Sequence, residues 1–329
     1  MTAVCAWCGE SRVAGPLCPE CGADYEKAAQ IKAGKKAESA PRKSKKELRA
    51  KEQEERFIEA WAPVKDVNFE YKLCLFAVPG LLAFCFLLEM VGIGDGMLRI
   101  VFGMPVHEMG HALVGWFSGF NSIPSLWFTS IPEDRGYIAS VLVFGGLCYL
   151  ANFARMNAHG GLLMLGVLLL ILQFIFTIVI AQGTAHVAVT WGGDGVGFML
   201  ATVLMIGFNF DKQTNWYKGY LRWGFAFIGA AAFADLVTPW WRSLSDISHV
   251  PYGVTGGTHT DTYKLMVYHG WTMDEVIHRY VNLSVLCMLV FAGFYVRGIK
   301  QAGKAVTLRR KIQSFDEAEA SEEAGSASS

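Results

Sequence analysis

Seven apolar blocks, each of sixteen residues or more, fill the chain between Leu73 and Val296. A helix of about 20 such residues spans the roughly 30 Å of bilayer hydrocarbon, where every backbone polar group must be satisfied within the protein. With 53% hydrophobic and 18% charged positions, the chain is too apolar for a soluble domain of 329 residues. The fold expected is an all-α polytopic membrane protein of six to seven transmembrane helices.

The blocks are residues 73–93, 97–118, 138–155, 160–181, 185–208, 220–240 and 280–298. If all seven crossed, the stretch from Arg297 to Lys311, with six bases and no acid, would lie outside, against the positive-inside bias. Segment 138–155 is the one expected not to cross. It is short, holds Gly145-Gly146 and follows FNSIPSLWFTSIPEDRGY, which reads as strand and turn, or as a re-entrant loop. Six crossings place Lys212, Lys218 and the C-terminal bases in the cytosol. The opening MTAVCAWCGE lacks the pattern of a cleavable signal, and the basic run from Lys32 to Arg56 precedes the first block. Both termini are therefore expected in the cytosol.

The eight cysteines divide into two sets. Cys74, Cys85, Cys148 and Cys287 are scattered through apolar blocks, where a free thiol acts as a small hydrophobe. Cys5-x2-Cys8 and Cys18-x2-Cys21, each pair followed by a glycine (Gly9, Gly22), have the spacing of two knuckles clamping one structural zinc. About 25 residues bury too little to fold unaided, so the metal would supply the folding energy. The domains expected are a zinc ribbon at 1–26, a charged linker at 27–70, a membrane domain at 71–298 and a basic, then acidic, disordered tail at 299–329. The linker is read as a solvated helix or disordered chain, since residues 27–56 hold eleven Lys and Arg against five Glu without apolar period.

The chemistry stands in the second block, as His107-Glu108-Met109-Gly110-His111. Histidines four apart on a helix share a face and can hold one zinc, while Glu108 can reach water on that ion and act as general base. Such groups are costly in a membrane and usually functional. A third ligand is needed if one position is to stay open for water. Asp194, in Gly192-Gly193-Asp194-Gly195, is the acid expected to supply it, its glycines letting the helix unwind or a neighbour come close. His186, eight residues upstream, is expected to pack or hydrogen-bond locally.

These residues resemble the site-2 protease family of intramembrane zinc metalloproteases, the likeness running from His107 through Ala112-Leu113-Val114-Gly115-Trp116-Phe117-Ser118-Gly119. It implies zinc on His107, His111 and Asp194, with Glu108 as base. Asp194-Gly195 matches the end of the family's later motif, whereas Thr190-Trp191-Gly192-Gly193 replace its usual Asn-Pro. The resemblance covers roughly residues 73–208.

Other residues receive plainer readings. Glu89 and Arg99 are expected to be interfacial or paired, and Asp235 to make an interfacial contact. Gly115 and Gly119 are expected to serve close helix packing. His259 and Asp261 belong to residues 241–279, a polar connection with Pro251, Gly253, Gly256-Gly257 and four of the eight histidines, and are expected in a solvated part of it. Glu275 is the third ligand in a rival HExxH arrangement that opens to water.

The function expected is intramembrane zinc endopeptidase, with two zinc ions, one catalytic and one structural. Its partners would be a membrane-anchored protein substrate, the lipid bilayer and a cytosolic protein met by the ribbon. The alternative is a non-catalytic adaptor in which zinc only fixes helices. Nothing in the sequence points to nucleic acid.

Overall fold

The computed structural model describes residues 4–11, 13–38, 45–61, 66–92, 96–210, 220–255 and 257–327. Lys212, Lys218 and Gly256 lie outside the described residues. The chain forms two compact units, residues 1–56 and 57–329.

In the first unit each Cys-x2-Cys pair forms a tight turn that its following glycine closes. Gly9 N–H reaches the Cys5 carbonyl at 3.0 Å and Gly22 N–H the Cys18 carbonyl at 2.8 Å. Both glycines have positive φ, 82° and 70°, a conformation that costs a residue with a Cβ. The charged stretch that follows is helical, as α1 (Tyr25–Glu38) and α2 (Lys45–Trp61).

The second unit is a helical bundle. Asp66 caps α3 (Val67–Met90), its carboxylate accepting from Asn68 and Phe69 N–H at 2.9 and 3.1 Å. A single π turn, Arg99–Gly103, leads into α4 (Met104–Phe117). Pro105 at the start of α4 has no N–H to bond backwards, and the widened turn ahead of it absorbs that gap. A hairpin of β1 (Ile123–Pro124) and β2 (Thr129–Ser130) follows, pairing antiparallel with Ile123 opposite Ser130. Next come α5 (Ile138–Met156), α6 (Gly160–Phe174, extended by a π turn to Val179), α7 (Gln182–Ile206) and α8 (Leu221–Ser243). The connection beyond α8 holds the hairpin β3 (Val254–Thr255) and β4 (Thr258–His259) and the short helix α9 (Asp261–Val267). The last helix, α10, runs from Met273 to Ala327.

Six helices are long and apolar enough to cross a membrane: α3, α5, α6 with its π turn, α7, α8 and α10. This is the pattern of a multi-pass membrane protein. The six differ from the expected set in one exchange. Residues 138–155, expected not to cross, form the 19-residue helix α5, whereas the HExxH block yields only the 14-residue α4 behind its π turn. An added Cβ at Gly145 or Gly146 would meet nothing within 4 Å, so these glycines lie on an open helix face and do not break it. The tail expected to be disordered continues α10 instead, since Lys, Arg, Glu and Ala are good helix formers.

The core joins α3, α7, α8 and α10 around Val78, Phe198, Met205, Trp240, Ile277 and Tyr280. Small residues let the inner helices approach: Ala230 to Ala232 of α8 are fully buried, and Gly229 lies over the Ala201 carbonyl of α7. Helices α5 and α6 turn Val141, Leu142, Tyr149 and Leu168 outward, the faces that lipid would cover.

Candidate metal centre

Helix α4 lies directly on α7, and the glycines at the crossing explain how. Gly110 faces the Gly192 and Gly193 carbonyls so closely that no Cβ fits, and a Cβ on Gly192 would stand 2.6 Å from Val114 Cγ2. The Gly-Gly pair thus serves close approach, and α7 stays helical through it. This seats the buried His107 and His111 against the turn of α7 that carries Val189 and Asp194.

Each imidazole is held by its Nδ1. His107 Nδ1–H donates to Asp194 Oδ1 at 2.7 Å, and His111 Nδ1–H donates to the Val189 carbonyl at 2.7 Å. Both Nε2 atoms are left to face one spot, 3.1 Å apart, with the rings perpendicular. Asp261 Oδ2, from the first residue of α9, closes the triangle at 2.9 Å from His111 Nε2 and 3.1 Å from His107 Nε2. The other Asp261 oxygen meets Lys264 Nζ at 3.2 Å. Burial opposes the ionisation of Asp261, but the His111 and His107 imidazoles hold its carboxyl well below the usual range.

Tetrahedral zinc with bonds of about 2.0–2.1 Å to nitrogen and oxygen needs ligand atoms about 3.3 Å apart. The two Nε2 atoms and Asp261 Oδ2 come within a few tenths of that. Anchoring the far nitrogen of each ring by a carboxylate and a carbonyl is the usual support of a metal-binding histidine, since it presents the Nε2 lone pair. The residues therefore fit a zinc ion.

The expected residues fall as follows. His107, Glu108 and His111 are all buried in α4. Asp194 is brought to His107, but at Nδ1, the nitrogen turned away from the triangle; its second oxygen accepts the Trp240 indole N–H at 2.8 Å. Trp240 packs in turn against Tyr280, the rings tilted by 31°, and the Tyr280 hydroxyl donates to the Trp191 carbonyl at 3.1 Å. Asp261, expected in a solvated loop, instead sits on the two histidines. Thr260 caps α9 ahead of it, and His259 stacks on Tyr263 at 4.0 Å, fixing its entry. The signal for Asp261 was the length of the connection: nearly forty polar residues between membrane helices usually carry function.

The rival ligand Glu275 is engaged elsewhere. Its carboxylate accepts Thr272 N–H at 2.8 Å while Thr272 Oγ accepts Glu275 N–H at 3.3 Å, a capping box that starts α10. His186 bonds the Glu133 carbonyl at 2.9 Å, local as expected. Gly115 makes room for Ser122 of the hairpin segment, and Gly119, at φ 94°, turns the chain out of α4; neither packs a second helix. Arg99 pairs with the buried Asp235 at 3.2 Å, tying the π turn before α4 to α8. Asp235 is thus a buried ion-pair partner, not an interfacial contact.

In the first unit, Cys5 and Cys21 Sγ are 3.9 Å apart and Cys8 and Cys18 Sγ 3.6 Å apart. Zinc–sulfur bonds of about 2.3 Å require about 3.8 Å between sulfurs, so the four thiols also fit one ion.

No family model, curated protein or solved structure matches the chain.

Proposed function

We propose that the chain is a membrane-embedded zinc endopeptidase that hydrolyses a peptide bond in or near the membrane-spanning segment of a membrane-anchored protein. The observation that carries this reading is the convergence of His107 and His111 Nε2 at 3.1 Å, with both Nδ1 atoms anchored and Glu108 between them in sequence. When bound, zinc supplies a Lewis acid that polarises a carbonyl and brings the acidity of water near neutrality. His107 and His111 would hold the ion through Nε2, with a carboxylate beside them. Glu108 would take the proton of the attacking water and pass it to the leaving amine, a role for which an adaptor has no use.

A substrate helix must unwind before its carbonyls are open to attack. The β1–β2 hairpin offers a place for the extended segment to pair, because Thr129 Oγ–H donates to the Glu108 carbonyl at 2.9 Å and so fixes the hairpin beside α4. Six crossings put both ends of the membrane unit on one side, the cytosolic side by the positive-inside bias. The hairpin and α9 then share the opposite side. The four cysteines would hold a structural zinc in a ribbon that meets a cytosolic partner.

The test is quantitative peptide-terminus mass spectrometry on cells carrying the wild type or Glu108→Gln, with zinc content measured in parallel. New termini within or beside membrane spans, present with the wild type and lost in the variant at unchanged zinc, support the reading. Identical terminus profiles overturn it and favour the adaptor.

A further inference from the structure

We infer that Asp261, delivered by the connection between α8 and α10, is the third protein ligand of the zinc, and that Asp194 is a positioning residue that orients His107. The inference rests on the reading of the HExxH pair as a zinc site and specifies how that site is completed.

The ring nitrogens decide it. Nδ1 and Nε2 of an imidazole point in widely different directions, so a carboxylate bonded at Nδ1 lies away from an ion at Nε2. Asp194 is bonded there at 2.7 Å, and its other oxygen is taken by Trp240 at 2.8 Å. Asp261 Oδ2 instead touches both Nε2 atoms, at 2.9 and 3.1 Å. With each Nδ1 carrying the proton it donates, the two Nε2 atoms and the Asp261 oxygen are the atoms left to coordinate, and they converge on one another as the ligands of a single metal ion do. The side chain of Asp261 is four-fifths buried, at 19% exposure, so its charge calls for cationic partners, of which Lys264 supplies one at the other oxygen.

The arrangement has a consequence for the chain. His107 and Asp261 are 154 residues apart and reach the site on different elements, α4 and α9. A metal bound by both holds α9 and the β3–β4 hairpin against the membrane helices, so the ion closes the connection over the site as well as serving the chemistry.

The test measures zinc per chain and its retention against a graded chelator, on full-length protein purified in detergent. The wild type should hold two zincs, one of them lost in Cys5→Ser/Cys8→Ser. Asp261→Ala should hold only the ribbon's zinc, and Asp261→His, which replaces one ligand by another, should regain the second. Asp194→Asn should keep two zincs but yield one at about 10- to 100-fold lower chelator, the usual effect of removing a residue that orients a ligand. The inference is overturned if Asp261→Ala keeps both zincs at wild-type retention, or if Asp194→Asn loses one outright while Asp261→Ala does not. Should the wild type hold only the cysteine-bound zinc, the endopeptidase reading falls and the ligand assignment with it. Asp261→His guards against loss by misfolding, because a variant that regains the metal has folded.

Discussion

Trp240 donates its indole N–H to the one oxygen of Asp194 that His107 does not take, at 2.8 Å. Asp194 is therefore bonded on both sides, and the His107 ring is aimed by a chain that runs back through Trp240 to Tyr280. Trp240→Phe keeps an aromatic ring against Tyr280 and removes the donor together with part of the buried indole volume. Leaving a buried acceptor unpaired costs about 1–3 kcal/mol. The expected result is zinc retention at the membrane site weakened about tenfold, with the ribbon zinc and the helix content unchanged, as read by chelator competition and circular dichroism.

Gly193 sets propensity against space. Alanine is the better helix former by about 1 kcal/mol, so in an isolated α7 the change Gly193→Ala would stabilise. In the bundle the new Cβ would stand 2.5 Å from His107 Cε1 and 2.6 Å from His111 Nε2. Neither anchored ring can retreat without giving up its Nδ1 bond. The steric term wins, and Gly193→Ala is expected to lose the membrane-site zinc while keeping the ribbon's, as counted by elemental analysis.

How much of this the sequence shows depends on the range over which each feature is determined. The HExxH face and the two CxxC knuckles are local: spacing alone brings the His107 and His111 Nε2 atoms to 3.1 Å and the four cysteine sulfurs within 4.8 Å of one another. Asp194 is half legible. A buried acid among glycines signals a close helix crossing, but which nitrogen of His107 it meets depends on the register of α7 against α4, which no local pattern encodes. Asp261 is least legible, because its place depends on how a connection from the far end of α8 folds back. The exchange between the α4 block and α5 has another origin: the helical run Arg99–Phe117 carries Arg99, His107, Glu108 and His111, which lower its hydropathy, whereas Ile138–Met156 has Arg155 as its one charged residue.

The ion pair between Arg99 and Asp235 separates a charge effect from a packing effect. Asp235 is buried, and Gly103 leaves room for its carboxylate. Arg99→Met leaves that charge unpaired, which is expected to destabilise by about 3 kcal/mol. Arg99→Met/Asp235→Ala removes both charges and should recover most of the loss. The thermal midpoints of the two variants in detergent, compared with the wild type, check the sign of the coupling.

The ribbon should respond to acid. The backbone N–H of Cys21 holds the Cys18 thiol down to about 6 against desolvation, with the N–H of Glu20 helping. A group whose pKa is lowered by folding contributes stability that is complete above its unfolded value and is lost as pH falls through its folded value. Thiolates are also the form that binds zinc. The ribbon is therefore expected to release its zinc as the solution is made acid, because protons compete for the thiolates, followed with a colorimetric zinc indicator on the Asp261→Ala protein, whose only remaining zinc is the ribbon's.

Chelation should act on the connection that carries Asp261 more than on the helices that carry the histidines. Helices α4 and α7 are packed through glycine contacts and through rings anchored on the Asp194 carboxylate and the Val189 carbonyl, contacts that do not depend on an ion. Helix α9 has seven residues, and an isolated helix so short is unstable in water. Its hold on the bundle combines the contact of Asp261 with the two imidazoles and the burial of Leu265 in the core. Without the ion, the first of these is reduced from metal coordination to hydrogen bonds between the carboxylate and the imidazoles, and it holds α9 less firmly. Amides of residues 257–268 are therefore expected to exchange with deuterium at least tenfold faster in chelator-treated protein, while central amides of α4 and α7 change little. The same acceleration should appear in Asp261→Ala without chelator, and adding chelator to that variant should produce no further change in these residues. Equal acceleration across α4 and α7 would instead mean that the metal holds the whole bundle together, and that closure of the connection is not its particular task.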